Sequence, residues 1–232
     1  MSAFLQPPES PNDDWRSISG DLKRTFWRTF LPVVIPLAAM WLVFILNGLT
    51  GNWLNVNFGL RPRSLDGLSG VLFMPLLHGG LVHTLSFSHI VGNTFSWLVL
   101  GGMVSLLTRR FPSIMVMIWL LSGLILWIIG TPWTLRPDGT AGGLHIGASG
   151  VIYGFAAFLV VYGILSRRLL AIVFAVFVTF FYGLSMLFGM LPVGNSGVSW
   201  TGHLSGAVAG VVVALFHTGR LGRRRRTDPA NT

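Results

Sequence analysis

Three short polar clusters interrupt the long apolar stretches of this sequence. They are His89-Ile-Val-Gly-Asn93, Gly147-Ala148-Ser149-Gly150 and Gly202-His203-Leu204-Ser205-Gly206. A serine hydroxyl is a weak nucleophile until a base removes its proton, and histidine titrates close enough to neutral pH to be that base. Ser149 and His203 therefore predict nucleophilic catalysis by a Ser–His pair.

Acidic residues are absent from every apolar stretch. The seven acids are Glu9, Asp13, Asp14, Asp21, Asp66, Asp138 and Asp228. With no acid to orient the histidine, the pair must be a dyad rather than a triad. A paired-carboxylate protease and a His-Glu-x-x-His metalloprotease are excluded, and the lack of cysteine excludes a thiol nucleophile. We expect no metal and no cofactor.

The composition indicates that lipid is the solvent around these clusters. Hydrophobic residues make up 52% of the 232 residues, only 10% are charged, and the mean hydropathy is +0.69. Soluble domains carry about 25% charged residues. Six apolar segments approach the length that a membrane-spanning helix needs. They cover 31–49, 86–107, 112–131, 149–165, 169–190 and 200–217. The sequence thus predicts an all-α membrane protein with six transmembrane helices.

The 16 Lys and Arg residues orient these spans. Most of them precede span one, separate spans two and three or four and five, or follow span six, so the positive-inside rule places both termini in the cytoplasm. The predicted organisation is a polar segment 1–27, a membrane domain 28–218 and a basic tail 219–232. The net charge is +9, and the charged residues cluster at the ends of the spans. We therefore expect them to contact lipid, and we expect no nucleic-acid partner. The expected location is a bacterial plasma membrane.

Topology and glycine spacing both predict that the clusters meet. Each cluster opens an even-numbered span, so all three lie at the outer-leaflet depth. Glycines at Gly150/Gly154 and at Gly202/Gly206/Gly210 form GxxxG ridges, which let two helix backbones approach closely in lipid. Contact between spans four and six would bring the serine hydroxyl and the imidazole within hydrogen-bonding reach. Packing alone is the competing interpretation of each cluster taken singly.

An oxyanion site is predicted beside the dyad. His89 and Asn93 lie four residues apart on one helix face, and both side chains can donate hydrogen bonds. The backbone N–H of Ser149 is free at a helix N-terminus. Gly147, in the glycine-rich loop before it, is assigned to the same transition-state-stabilising group.

Together these motifs resemble the rhomboid family of intramembrane serine proteases, over about residues 30–217. His89 and Asn93 look like the family's oxyanion pair, GASG at 147–150 like its nucleophile motif, and Gly202-His203 with Gly206 and Gly210 like its base motif. Tyr153 matches the position whose ring packs on the base histidine. The resemblance implies a six-helix bundle that cleaves transmembrane proteins, with substrate entering sideways between spans two and five.

Some features keep more than one interpretation. The aromatic residues of span five (Phe180, Phe181, Tyr182 and Phe188) are either a gate or lipid-facing bulk. His78, His83 and His145 lie in outer loops and have no assigned role, whereas His217 lies at the far end of span six. The alternative functions are a catalytically silent rhomboid-like protein that binds transmembrane clients, and a transporter or channel. The second lacks support because the spans carry no charge. The sequence assigns no oligomeric state.

Overall fold

The computed structural model describes residues 11–79, 84–131, 134–135, 141–192 and 199–219. His83, the arginine run 223–226 and most of the basic tail lie outside these ranges. So do the central parts of the loops 132–148 and 191–199.

Helices form nearly all of the described chain. Two short antiparallel strands, Thr134–Leu135 and Ala141–Gly142, pair with each other. Two 3-10 turns lie at Leu65–Gly67 and Met74–Leu76. The elements in chain order are α1 (Pro11–Leu49), α2 (Trp53–Phe58), α3 (Gly70–Phe73), α4 (Thr84–Leu107), α5 (Phe111–Ile129), β1 (Thr134–Leu135), β2 (Ala141–Gly142), α6 (Ser149–Ser166), α7 (Leu169–Gly189) and α8 (Trp200–His217).

Six of these helices are long and apolar enough to cross a membrane, which confirms the predicted all-α bundle. They are α1 over Gly20–Leu49, α4 over Phe87–Leu107, and α5, α6, α7 and α8 over their full lengths. Helix α1 begins at Pro11 and so crosses the predicted boundary at residue 27. Hydropathy marks only the apolar part of a helix, whereas the polar residues before it continue the same backbone hydrogen bonds.

Helix α6 is the centre of the bundle. It packs against α4, α5, α7 and α8, and it carries the fully buried rings of Phe155 and Phe158. The ring of Phe155 lies 5.2 Å from that of Trp97 on α4 and 5.7 Å from that of Phe111 on α5. Helix α7 is the most exposed of the six spans. The predicted nucleophile Ser149 therefore begins the best-packed helix.

The contact between α6 and α8 consists of backbone against backbone. A β-carbon on Gly206 would overlap the carbonyl oxygen of Gly150, and one on Gly210 would overlap that of Gly154. A β-carbon on Gly150 would lie 3.2 Å from the Gly202 carbonyl oxygen. A larger residue does not fit at Gly206 or Gly210, because the main-chain atoms that its side chain would meet cannot move aside as a side-chain end can.

Gly206→Ala is expected to separate α6 from α8 and to destabilise the bundle by about 1–3 kcal/mol, the usual cost of overpacking. The measurement is thermal unfolding of the purified protein in detergent. Gly102→Ala is the matched control, since a β-carbon on that glycine of α4 has no atom within 4 Å. Equal unfolding temperatures for the two variants would contradict the close contact.

Candidate active site

Three polar side chains surround Gly147, which lies two residues before the start of α6. Gly147 has a φ of 113°, which favours glycine, and its N–H donates to the Met74 carbonyl at 2.9 Å. A β-carbon built on Gly147 would lie 3.2 Å from His89 Nε2, 3.8 Å from Asn93 Nδ2 and 3.9 Å from Ser149 Oγ. The missing β-carbon therefore leaves a small space that these three side chains line.

His203 on α8 is held in one orientation. Its ring is buried, and its Nδ1 lies 2.9 Å from the carbonyl oxygen of Gly189, at the end of α7. Since a carbonyl can only accept a hydrogen bond, the neutral ring must carry its proton on Nδ1. The lone pair is then on Nε2, the nitrogen that a general base would use. The Tyr153 ring stacks on the imidazole with centroids 3.9 Å apart and planes at 9°.

Ser149 and His203 lie on the two helices that approach most closely. Ser149 precedes Gly150, and His203 follows Gly202. These two glycines are in contact where α6 and α8 cross near their N-termini. Across the described residues, no hydrogen bond joins the serine hydroxyl to the imidazole. Catalytic hydrogen bonds are often long without substrate and tighten in the reacting complex.

A hydrogen bond between His145 and Ser199 fixes the N-terminus of α8. His145 Nδ1 lies 2.6 Å from Ser199 Oγ, while His145 Nε2 faces the Thr131 carbonyl at 3.3 Å. Ser199 is the N-cap of α8, and its hydroxyl accepts the Gly202 N–H at 3.0 Å. Burial lowers the pKa of the His145 imidazole, so it is neutral and able to accept from the serine hydroxyl. The sequence did not single out Ser199, although a serine before an apolar helix is a recognised capping signal.

The remaining sequence candidates are dispersed. The span-five aromatics Phe180, Phe181 and Phe188 are exposed on the outside of the bundle, whereas Tyr182 is partly buried and its hydroxyl interacts with Ser96 of α4. His217 packs beside Phe158 and Tyr162 at the opposite end of α6 and α8. Within the described ranges, no group of three or more His, Cys, Asp or Glu side chains is placed to hold a metal ion.

The architecture defines a polytopic membrane protein with a polar site at one end of a six-helix bundle. A family model described as the Rhomboid domain matches residues 74–220, more than half of the chain. The chain therefore belongs to the rhomboid family.

The chain is also similar to mycobacterial proteins. An uncharacterised protein of Mycobacterium tuberculosis is 44% identical over 185 residues, which cover 78% of this chain and 71% of the relative. An uncharacterised protein of Mycobacterium leprae is 37% identical over 237 residues, which cover 100% of this chain and 88% of the relative.

Ser199→Ala is expected to destabilise the protein by about 1–2 kcal/mol, because it removes the N-cap of α8 and a hydrogen-bond partner of the buried His145. Thermal unfolding in detergent measures the change. Ser113→Ala, at an exposed position in the first turn of α5, is the control and should leave the unfolding temperature within error. A Ser199→Ala variant as stable as this control would show that the cap is not needed.

Proposed function

We propose that this rhomboid-family protein is an intramembrane serine endopeptidase with Ser149 as nucleophile and His203 as general base. The observation that supports this best is the 2.9 Å distance between His203 Nδ1 and the Gly189 carbonyl oxygen, which leaves Nε2 as acceptor on the helix packed directly against the serine's helix. Ser149 Oγ attacks the scissile carbonyl carbon while Nε2 takes the hydroxyl proton. Nε2 returns the proton to the leaving amine, and water then hydrolyses the acyl-enzyme by the same route.

The Gly189 carbonyl takes the place that a carboxylate holds in a triad. Its oxygen accepts a hydrogen bond from the Nδ1–H group, with 2.9 Å between nitrogen and oxygen. This bond fixes the ring orientation and stabilises the imidazolium that forms during attack. Tyr153 stacks on one face of the ring and prevents it from tilting.

The tetrahedral oxyanion would be stabilised in the space beside Gly147. His89 and Asn93 supply side-chain donors there, and the Ser149 backbone N–H is available at the start of α6. Gly147 contributes the space itself, since its own N–H already donates to Met74. Gly150, Gly202, Gly206 and Gly210 support the site by keeping α6 and α8 together.

We further propose that the active site faces the outer leaflet of a bacterial plasma membrane, with both termini in the cytoplasm. The distribution of Lys and Arg supports this orientation, and the relatives are mycobacterial. The substrates are transmembrane proteins, and access is between α4 and α7. Tyr182 of α7 is partly buried and interacts with Ser96 of α4, and these two helices would have to part for a substrate helix to reach Ser149.

A catalytically silent protein that binds transmembrane clients is the second candidate. The observation in its favour is that Ser149 and His203 are not directly hydrogen-bonded to one another in this structure. Both functions use the same bundle and the same lateral access, so only a measurement of peptide-bond cleavage separates them.

Ser149→Ala and His203→Ala are each expected to lower the cleavage rate of a membrane-anchored reporter by at least about 10³-fold. Both residues are needed to generate the same activated nucleophile. The double variant should lose no more than either single variant. Purified protein in proteoliposomes, with gel analysis of the reporter, gives the rates.

Ser166→Ala and His217→Ala are matched controls, because they change the same residue types at the opposite ends of the same two helices. Both should cleave like the wild type. Wild-type activity no greater than that of Ser149→Ala would favour the silent client-binding protein.

Cleavage is expected to require local unwinding of the substrate helix, since its peptide carbonyls are otherwise hydrogen-bonded within the helix. Replacing Gly or Pro in the outer half of a cleaved reporter span by Ala or Leu should slow cleavage. Each Gly→Ala change stabilises the substrate helix against unwinding by about 1 kcal/mol. The same replacements in the inner half are the control. Equal rates for the stiffened and original reporters would refute this requirement.

A further inference from the structure

His78 is a buried histidine that the proposed chemistry does not use. It lies in the outer loop between the 3-10 turn Met74–Leu76 and α4, and only 1% of its surface is exposed. Its ring is 5.6 Å from that of His89, centre to centre. A buried imidazole with no hydrogen-bond partners would be costly, so its contacts indicate why it is there.

Both ring nitrogens of His78 have a partner. Nε2 lies 2.8 Å from Asn93 Nδ2, and Nδ1 lies 3.5 Å from the carbonyl oxygen of Leu76. Because the carbonyl can only accept, the proton belongs on Nδ1, and Nε2 is left to accept a hydrogen bond from the Asn93 amide. This contact determines which way the carboxamide is turned.

Protonation of His78 would destroy that arrangement, and the surroundings oppose it. Burial, together with the neighbouring His89 imidazole, lowers the pKa of His78 to about 4. At neutral pH the ring is therefore uncharged, and its Nε2 lone pair remains available to the amide.

The backbone of His78 is anchored from two helices. Its carbonyl oxygen accepts from Asn47 Nδ2 of α1 at 2.9 Å and from Asn55 Nδ2 of α2 at 3.0 Å. The two asparagines are themselves joined, since the Asn55 N–H donates to Asn47 Oδ1 at 3.2 Å, and both side chains are buried. The imidazole is thus attached to a rigid polar scaffold rather than to a free loop.

We propose that His78 is a positioning residue that holds the Asn93 carboxamide with its nitrogen, and not its oxygen, toward the oxyanion space beside Gly147. One N–H of Asn93 Nδ2 is taken by His78, and the other is left for the substrate oxyanion. Without the acceptor, the amide could turn over and present a repelling oxygen to the developing charge. This inference rests on the proposed protease function and adds a supporting residue to it.

The test compares His78→Gln with His78→Met. The two side chains have nearly the same length and volume, but only glutamine carries an acceptor oxygen near the place of Nε2. His78→Met should lower kcat by about tenfold or more with KM unchanged, because the interaction acts on the transition state. His78→Gln should stay within about threefold of the wild type. Rates are taken per folded protein recovered by gel filtration.

A double-variant comparison then shows whether His78 acts through Asn93. In an Asn93→Ala background, His78→Met should change kcat by less than about twofold, since the group that it positions is gone. Losses that multiply would overturn the inference. If His78→Met is not recovered folded, the glutamine variant decides alone, and a kcat as low as that of Asn93→Ala overturns it.

The same assay separates this inference from the function on which it rests. A wild type that cleaves no faster than Ser149→Ala contradicts the protease proposal and the role of His78 together. A wild type that cleaves, alongside methionine and glutamine variants of equal kcat, overturns the role of His78 alone.

Discussion

The close approach of α6 and α8 is the constraint on which the rest of the structure depends. In lipid there is no hydrophobic driving force that brings two apolar helices together, so their association relies on close packing between complementary surfaces. Here the fit is made by glycine, with the Gly150 and Gly154 carbonyls lying where side chains of Gly206 and Gly210 would otherwise be. Backbone contact of this kind fixes the separation of the two helix starts, which is the distance that matters for a serine on one helix and a histidine on the other.

Around this contact, the polar side chains are held by neutral hydrogen bonds instead of charges. A carboxylate beside His203 would have to be desolvated at membrane depth, which is costly. The Gly189 carbonyl orients that imidazole without such a cost, and His145 and His78 are likewise held through carbonyls and neutral partners. The side chains of the site are therefore oriented by carbonyls and neutral hydrogen-bond partners, in keeping with the absence of acidic residues from α4, α5, α6, α7 and α8.

Residue type and spacing were enough to predict the six spans and the close approach of the two glycine ridges, because hydropathy and a four-residue glycine period are local properties. The partners of the histidines were not predictable in this way. Gly189 acts through a main-chain carbonyl, which has no residue-type signature, and Asn47 meets His78 although the two are 31 positions apart in the chain. The polar start of α1 was also missed, since nothing in hydropathy distinguishes a helical extension in water from a loop.

The most direct test of the central claim is to identify the residue that a serine-reactive fluorophosphonate modifies in the membrane-embedded protein. Such a reagent bonds to an activated serine oxygen with loss of fluoride, so intact-mass measurement and peptide mapping locate the adduct without any knowledge of the substrate. We expect one adduct, on Ser149, that is absent from Ser149→Ala and forms far more slowly in His203→Ala. Labelling of Ser149→Ala to the same extent as the wild type would contradict it.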